Sequence, residues 1–211
     1  MKKFIEKITL FITRTRSDRL ELLLIQHPKA GIQIPAGTVR IGETVEQAVK
    51  RETLEETKLT DFSMKYIGYS ESSLPADQRI IMEKTKVFAH PDINSYSWAE
   101  IRKKVQVKLE RSTNDFSQVT YFEENRFPNP DYISYQITGW IPSRILCRKK
   151  KRHFFHLTVT KETLDEWEVL AEPELNYTYR VFWAYFDTLP PIIPPQYEWL
   201  EYVKSELNYI F

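Results

Sequence analysis

Length, composition and charge limit what this sequence can do. The chain has 211 residues, of which 42% are hydrophobic and 28% charged, which is ordinary for a globular protein of one domain or of one domain with an insertion. The net charge of +1 gives no general reason to expect nucleic acid or an anionic membrane as a partner.

Targeting and redox features point to the cytoplasm. No stretch approaches the roughly 20 consecutive apolar residues of a membrane helix, and the N-terminal segment lacks the apolar core of a signal peptide. Cys147 is the only cysteine, so a disulfide within the chain is excluded, as is usual in a reducing compartment. We therefore expect a cytoplasmic protein that does not enter a membrane and in which Cys147 serves packing.

Strand signals dominate the first seventy residues. Residues 4–14 are rich in β-branched and aromatic side chains, and residues 20–26 form a near-continuous apolar run. Both are predicted as strands, the second one buried. A shorter strand is predicted over 31–35, and a further one over 62–69.

A helix is predicted over residues 45–57, between these last two strands. Thr44 and Gln47 fit a capping box, in which the two side chains bind the first free backbone amides. Ala48 and Val49 belong to an apolar strip at helical spacing, so one face of the helix is expected to be buried.

The middle of the chain differs from its two ends. Residues 71–145 contain several strand-like runs separated by turn signals, which predicts a mostly β segment. Beyond it the sequence predicts a strand over 152–159, a short amphipathic segment over 164–170, a late strand over 179–186 and a final helix over 197–207.

Three carboxylates lie on one face of the predicted helix. Glu52, Glu55 and Glu56 stand at positions i, i+3 and i+4, which are neighbours on a helix surface. A hard divalent cation such as Mg²⁺ or Mn²⁺ would relieve their repulsion, because such ions prefer oxygen ligands. Taken alone, an acidic helix face is more often simply solvated, so the choice depends on the residues around it.

A fixed register of glycine and charged residues surrounds these carboxylates. Its members are Gly37, Glu43, Arg51, Glu52, Glu55 and Glu56. The register resembles the Nudix box, in which a glycine is followed after five residues by a glutamate, after seven more by Arg-Glu, and after two more by Glu-Glu. The lead-in Pro35-Ala36 also resembles that of the Nudix hydrolase superfamily. The box covers about a tenth of the chain.

Two positions depart from the box. Thr53 takes a place that is usually apolar, and Lys58 takes the place of the second glycine. The lysine matters more if the chain turns there with positive φ, since that conformation costs a non-glycine residue something like 1 kcal/mol. We expect a slightly different helix exit and an intact site.

The resemblance implies an α/β fold, with helices on both sides of a mixed sheet in a Nudix-type α/β/α sandwich. Residues 1–70 and 146–211 would form the Nudix core. Residues 71–145 would then be an insertion that caps the substrate or forms a dimer interface. A strand edge exposed in such an insertion favours pairing with a second chain, so a homodimer is one expectation.

The resemblance also implies a reaction, the metal-dependent hydrolysis of a pyrophosphate linkage in a nucleoside diphosphate joined to another group. The partner would be a small-molecule nucleotide, and the cofactor Mg²⁺ or Mn²⁺. By resemblance, Glu55 and Glu56 are metal ligands, and the Gly37 carbonyl joins the metal shell. Glu52 would be a further ligand or the base that orients the attacking water. Arg51 would hold a glutamate in place through a charge-assisted contact.

Five further glutamates are candidates for roles at the site. Glu43 would brace the loop before the helix. Members of the family often add an acid from a later loop, and nothing in the sequence ranks the four available carboxylates, which by default are solvated. They are Glu123, Glu124, Glu172 and Glu174.

A basic run lies where the expected insertion meets the core. It consists of Arg144, Arg148, Lys149, Lys150, Lys151 and Arg152. Such a run attracts a polyphosphate or RNA if it forms one surface, and is a solvated turn otherwise. His153 and His156 lack the spacing of metal ligands and are expected to pack or hydrogen-bond within a strand. The aromatic residues that offer either a stacking surface or core packing are Tyr121, Tyr132, Tyr135, Trp140, Phe154 and Trp183.

Two alternative functions stay open from the sequence. One is a hydrolase acting on RNA 5′ ends or dinucleoside polyphosphates, which only the basic run suggests. The other is a nucleotide-binding regulatory module that has kept the fold and lost turnover. The intact Glu52, Glu55 and Glu56 argue against the second alternative.

Overall fold

The structure is a computed structural model that describes residues 4–40, 42–125, 130–172 and 177–207. The chain forms two compact units, one of residues 6–70 and 151–211, the other of residues 1–5 and 71–150. In chain order the elements are β1 (Ile5–Arg16), β2 (Arg19–His27), β3 (Gly31–Gln33), β4 (Ala36–Thr38), α1 (Val45–Thr57), β5 (Ser63–Ser73), β6 (Gln78–Ile81), β7 (Thr85–Phe88), β8 (Ser97–Ile101), β9 (Gln106–Thr113), β10 (Phe116–Glu124), β11 (Ile133–Pro142), β12 (Leu146–Cys147), β13 (Lys149–Thr158), β14 (Glu166–Glu172), β15 (Tyr177–Tyr185) and α2 (Leu200–Leu207).

The larger sheet has eight strands and a helix on each face. Its strand order is β14-β15-β2-β1-β13-β5, with β3 paired to β2 and β4 paired to β1. Alternate residues of a strand point to opposite faces. Ile8 and Leu10 of β1 accordingly pack in one buried cluster with Val49 of α1, whereas Phe11 packs in another with Val203 of α2. This arrangement confirms the α/β class, with a mixed sheet between helices.

The sequence predicted this unit well in its first half. The strands over 4–14 and 20–26 are β1 and β2, and the helix over 45–57 has the bounds of α1. The amphipathic segment over 164–170 lies mainly in strand β14, where Val169 is buried and its neighbours are exposed or half-buried. The final helix begins at Leu200, after one 3₁₀ turn at Gln196–Trp199, because the stretch before it is broken by prolines.

The second unit is built on a seven-stranded sheet. The strand order is β12-β6-β9-β10-β11-β7-β8, and the longest pairing joins β10 to β11 over Phe116–Glu124 and Ile133–Pro142. Its own buried cluster includes Val107, Val119 and Ile141. The mostly β character expected for 71–145 is present, while the assignment of that segment as an insertion stays a prediction.

A helix that spans a membrane must be long and apolar. Within those residues, the structure contains no helix long and apolar enough to span a bilayer.

Candidate active site

Strand β4 and helix α1 place the candidate residues side by side. Gly37 in β4 pairs with Ile8 at the centre of the larger sheet. The helix begins after a complete capping box, in which the Thr44 hydroxyl accepts from the Gln47 amide at 3.1 Å and the Gln47 side chain accepts from the Thr44 amide at 2.8 Å. Val49 fixes the opposite face of the helix in the core. The acidic face is therefore held in a defined orientation.

The three glutamates all reach the segment that runs from Ala36 to Arg40. The Glu56 carboxylate accepts from the Ala36 amide at 3.1 Å, and that of Glu52 accepts from the Thr38 amide at 3.3 Å. The Glu55 carboxylate accepts from the Arg40 guanidinium at 3.0 Å. Glu52 is only 8% exposed, so its charge is held away from bulk solvent. The structure thus brings together on one strand segment the carboxylates that the sequence selected.

Gly37 lies directly against the Glu52 carboxyl group. A Cβ atom at position 37 would lie 2.1 Å from both Cδ and Oε1 of Glu52. Any other residue would have to displace that carboxylate, since real contacts of this kind are longer than 3 Å. The glycine is therefore required by close approach.

Arg51 ties the carboxylates together. Its Nε and one terminal nitrogen donate to both oxygens of Glu43, at 2.7 and 2.8 Å. The other terminal nitrogen lies 2.7 Å from Glu52 Oε1 and 3.1 Å from Glu55 Oε2. The guanidinium also donates to the Thr38 carbonyl at 3.1 Å. Through these contacts Arg51 connects Glu43, Glu52 and Glu55 with the Thr38 carbonyl.

The pKa shifts of Glu43 and Arg51 agree with this pairing. The hydrogen bonds from Arg51 are the largest cause that lowers the pKa of Glu43, to about 2. In return, the hydrogen bond to Glu43 raises the pKa of Arg51 above its usual value. Both groups are therefore charged at neutral pH, and their bidentate pairing is of the strong, geometrically specific kind.

The structure accommodates both residues that depart from the Nudix box. Thr53 is fully buried, and its hydroxyl donates to the Val49 carbonyl at 2.8 Å, so its polar atom is satisfied inside the helix. Lys58 ends the helix in the left-handed conformation, with φ of 62°, and its amide donates to the Leu54 carbonyl. The exit is therefore of the left-handed kind that glycine favours.

Two comparisons with known sequences show which family the chain resembles. The family model described as the NUDIX domain matches residues 6–136. The chain belongs to the NUDIX family. A NUDIX relative, the NAD-capped RNA hydrolase NudC of Vibrio cholerae serotype O1, is 39% identical over 59 residues, which is 26% of this chain and 22% of that protein. The chain thus matches about a fifth of the length of this curated relative.

Two solved structures also align with the chain. The NUDIX domain of Shewanella oneidensis NrtR, solved with ADP ribose, aligns with a TM-score of 0.48 and 10% identity over 98% of this chain and 90% of that one. The C. elegans Ap4A hydrolase aligns with a TM-score of 0.31 and 15% identity over 76% and 74%. The family assignment rests on the sequence match and not on these alignments.

The donor set of the NUDIX box fits a hard divalent cation. Glu52, Glu55 and Glu56 supply carboxylate oxygens beside the Gly37 backbone, where a side chain is excluded. Among the described residues, no three histidine, cysteine, aspartate or glutamate side chains are arranged to hold an ion by themselves. Magnesium commonly takes only one or two carboxylates and completes its shell with water and substrate phosphates, so the two observations are compatible.

Two of the four later acids lie in the second unit. Glu123 and Glu124 are exposed in the second unit, where Glu123 accepts from the Tyr121 hydroxyl and lies 4.0 Å from Arg102. Glu174 and the side chain of Glu172 lie outside the described residues.

Two residues of the basic run are held by contacts within the fold. The Arg148 Nε donates to the Leu74 carbonyl at 2.7 Å. Arg152 donates to Thr9 at 2.8 Å and lies 3.8 Å from the ring centre of Trp199, and its burial lowers its pKa to about 10. Arg148 and Arg152 are thus engaged in contacts within the fold, which weakens the expectation that they bind a polyphosphate or RNA.

The remaining candidates separate into core and surface residues. Cys147 is buried and unbridged, and its thiol donates to a backbone carbonyl at 3.3 Å. His156 is buried and hydrogen-bonded to Thr13 at 2.7 Å. Trp140, Phe154 and Trp183 are buried, Tyr121 is half-buried, and Tyr132 and Tyr135 are exposed in the second unit.

Sequence reasoning missed Arg40. It stands three residues before Glu43, and its backbone amide donates to that carboxylate at 2.8 Å while its side chain binds Glu55. An isolated arginine in a loop gives no periodic signal, so only the fold reveals this contact.

Proposed function

We propose that this protein is a NUDIX hydrolase that cleaves a pyrophosphate linkage in a nucleoside diphosphate derivative. The observation that carries the proposal is the convergence of Glu52, Glu55 and Glu56 on the strand segment around Gly37. A buried carboxylate, a glycine with no room for a side chain, and an arginine clamp are arranged at one place. Family membership supports the same reaction class.

The proposed roles follow from the contacts. Hydrolysis joins a water oxygen to one phosphorus, breaks the bond from that phosphorus to the bridging oxygen, and releases a proton that a carboxylate accepts. Glu52 is either this acceptor or a metal ligand, while Glu55, Glu56 and the Gly37 carbonyl would hold Mg²⁺ or Mn²⁺. A bound ion of this kind would neutralise phosphate charge and lower the pKa of water. Arg51 holds the carboxylates in position through its guanidinium group.

The first test is the substitution Glu56→Gln. The glutamine keeps an oxygen that accepts from the Ala36 amide, so we expect the fold to survive. Loss of the charge should lower kcat by at least about 100-fold in the presence of Mg²⁺. Glu162→Gln, at an exposed residue, is the matched control and should keep wild-type activity. Full metal-dependent activity in Glu56→Gln would show that the site is wrongly assigned.

The substrate is to be identified with a panel of ADP-ribose, dinucleoside polyphosphates, nucleoside triphosphates and capped RNA, by following the phosphate products. Turnover of one class by the wild type supports the enzyme. Tight binding of a panel member without any turnover would instead favour a regulatory module.

A further inference from the structure

A second group of side chains lies on the α1 face of the larger sheet. We call it the tyrosine–histidine cluster, and it consists of Glu6, Tyr66, Tyr69, Lys151 and His153. The His153 ring centre lies 6.0 Å from that of Tyr66 and 6.4 Å from that of Tyr69. Lys151 Nζ lies 3.9 Å from the centre of the Tyr69 ring. The cluster therefore combines planar rings with a cation in one place.

His153 is buried with an unsatisfied nitrogen. The residue is 8% exposed, and its Nε2 has no hydrogen-bond partner among the described residues. A Glu6 carboxylate oxygen lies 3.5 Å from Nε2, and Nδ1 lies 3.5 Å from the Tyr66 hydroxyl. A buried polar atom without a hydrogen bond is destabilising, and such atoms are uncommon in native proteins.

Burial also sets the charge of this histidine. Desolvation is the largest cause that moves the pKa of His153 below its ordinary value. The imidazole is therefore neutral near pH 7, with one donor and one acceptor nitrogen. A neutral ring of this kind suits the polar edge of an uncharged planar heterocycle.

The two tyrosines present large exposed ring surfaces. Tyr66 is 48% and Tyr69 52% exposed. The Tyr66 ring is supported from below by Phe155, with ring centres 5.2 Å apart. Exposed aromatic rings on a rigid strand are stacking platforms for nucleobases, and an exposed pair beside an unsatisfied imidazole is not explained by core packing.

The cluster lies next to the candidate active site. Glu6 is bound at its carbonyl by the Val39 amide at 3.0 Å, and two residues further along β1 Ile8 pairs with Gly37. Two residues of a strand span about 7 Å. A ligand that reaches the carboxylates at Gly37 is therefore close to the cluster.

We propose that the tyrosine–histidine cluster binds the nucleobase of the nucleotide substrate, an inference that rests on the proposed function. The base stacks on the exposed tyrosine rings, and Nε2 of His153 forms a hydrogen bond with its edge. The phosphates extend from there towards Gly37. The cluster thus sets base preference, and the NUDIX carboxylates perform the reaction.

The test is calorimetric titration with AMP, GMP, CMP and UMP, with ribose 5-phosphate as a matched ligand without a base. The wild type should bind at least one of the four monophosphates. Tyr69→Ala should weaken that binding at least about 5-fold, because the stacking energy is lost, and should leave binding of ribose 5-phosphate unchanged. Tyr69→Phe keeps the ring and should bind like the wild type.

Two further variants separate binding from folding. Tyr197→Ala removes a tyrosine of similar exposure, 58%, that lies outside the cluster, and should not change affinity. His153→Phe removes the unsatisfied nitrogen, so we expect a Tm no lower than that of the wild type together with at least about 3-fold weaker monophosphate binding. A histidine with only a structural role would leave affinity unchanged.

The outcomes distinguish this inference from the proposed function. If no monophosphate binds the wild type, or if Tyr69→Ala binds as tightly as the wild type, the inference is wrong, whatever the hydrolysis assays give. If Tyr69→Ala loses affinity while Glu56→Gln keeps full activity, the base site stands and the assigned hydrolytic site falls.

Discussion

Gly37 and Glu52 show how single residues shape the candidate site. The Glu52 carboxyl group occupies the space where a side chain at position 37 would begin. It is held there by the Thr38 amide and by Arg51. Because the contact involves the far end of a flexible side chain, a substitution at Gly37 would displace the carboxylate rather than break the sheet.

We therefore expect Gly37→Ala to reduce activity strongly and stability only modestly, by about 1–3 kcal/mol for an overpacked contact. A double-mutant cycle with Glu52→Ala isolates the clash, since shortening Glu52 gives room for the new methyl group. Urea unfolding should show that Gly37→Ala is less costly in the Glu52→Ala background. An equal cost in both backgrounds would contradict the contact with Glu52.

The two ends of helix α1 are stabilised to different degrees. Its start follows from local sequence, through the capping box of Thr44 and Gln47, and its end depends on one residue in a strained conformation. Lys58 has φ of 62°, which is unfavourable for a residue with a Cβ atom. The helix thus has a good N-terminal cap and a C-terminal cap that glycine would improve.

Lys58→Gly should raise the free energy of unfolding by about 0.5–1 kcal/mol, because relief of the left-handed strain exceeds the extra entropy that glycine brings to the unfolded chain. Lys58→Ala removes the same charged side chain but keeps the Cβ atom, so it should bring no such gain. Chemical denaturation of the three proteins measures the difference. A Lys58→Gly variant no more stable than Lys58→Ala would show that the helix exit carries no strain.

The whole molecule consists of two units with separate buried clusters. Ile12 is fully buried in the unit that carries the candidate site, and Ile141 is fully buried in the other. Each cluster is supplied by strands of its own sheet. Local opening of one unit is therefore expected to leave the other unit largely protected.

Ile141→Ala and Ile12→Ala form a matched pair that tests this expectation. Each should destabilise its own unit by about 2–5 kcal/mol through the cavity that it leaves. In hydrogen exchange, Ile141→Ala should lower amide protection in β10 and β11, and Ile12→Ala in β1 and β2. If either variant lowers protection equally in both units, the chain unfolds as one cooperative body.

The family and the bounds of α1 follow from the sequence alone, and the sequence also proposed the candidate-site residues other than Arg40. These are local properties, since a capping box, an apolar strip and a fixed charge register are all defined by positions close together in the chain. The α/β class also followed, because the resemblance to the Nudix box carries the fold with it.

Only the folded structure shows the contacts between residues that lie far apart in the sequence. It placed Glu6 beside His153 and left a buried imidazole nitrogen unsatisfied. It also engaged Arg148 and Arg152 of the basic run in backbone and ring contacts. No periodicity in the sequence carries this information, since strand order and register are set by which hydrophobic faces pack together across the whole sheet.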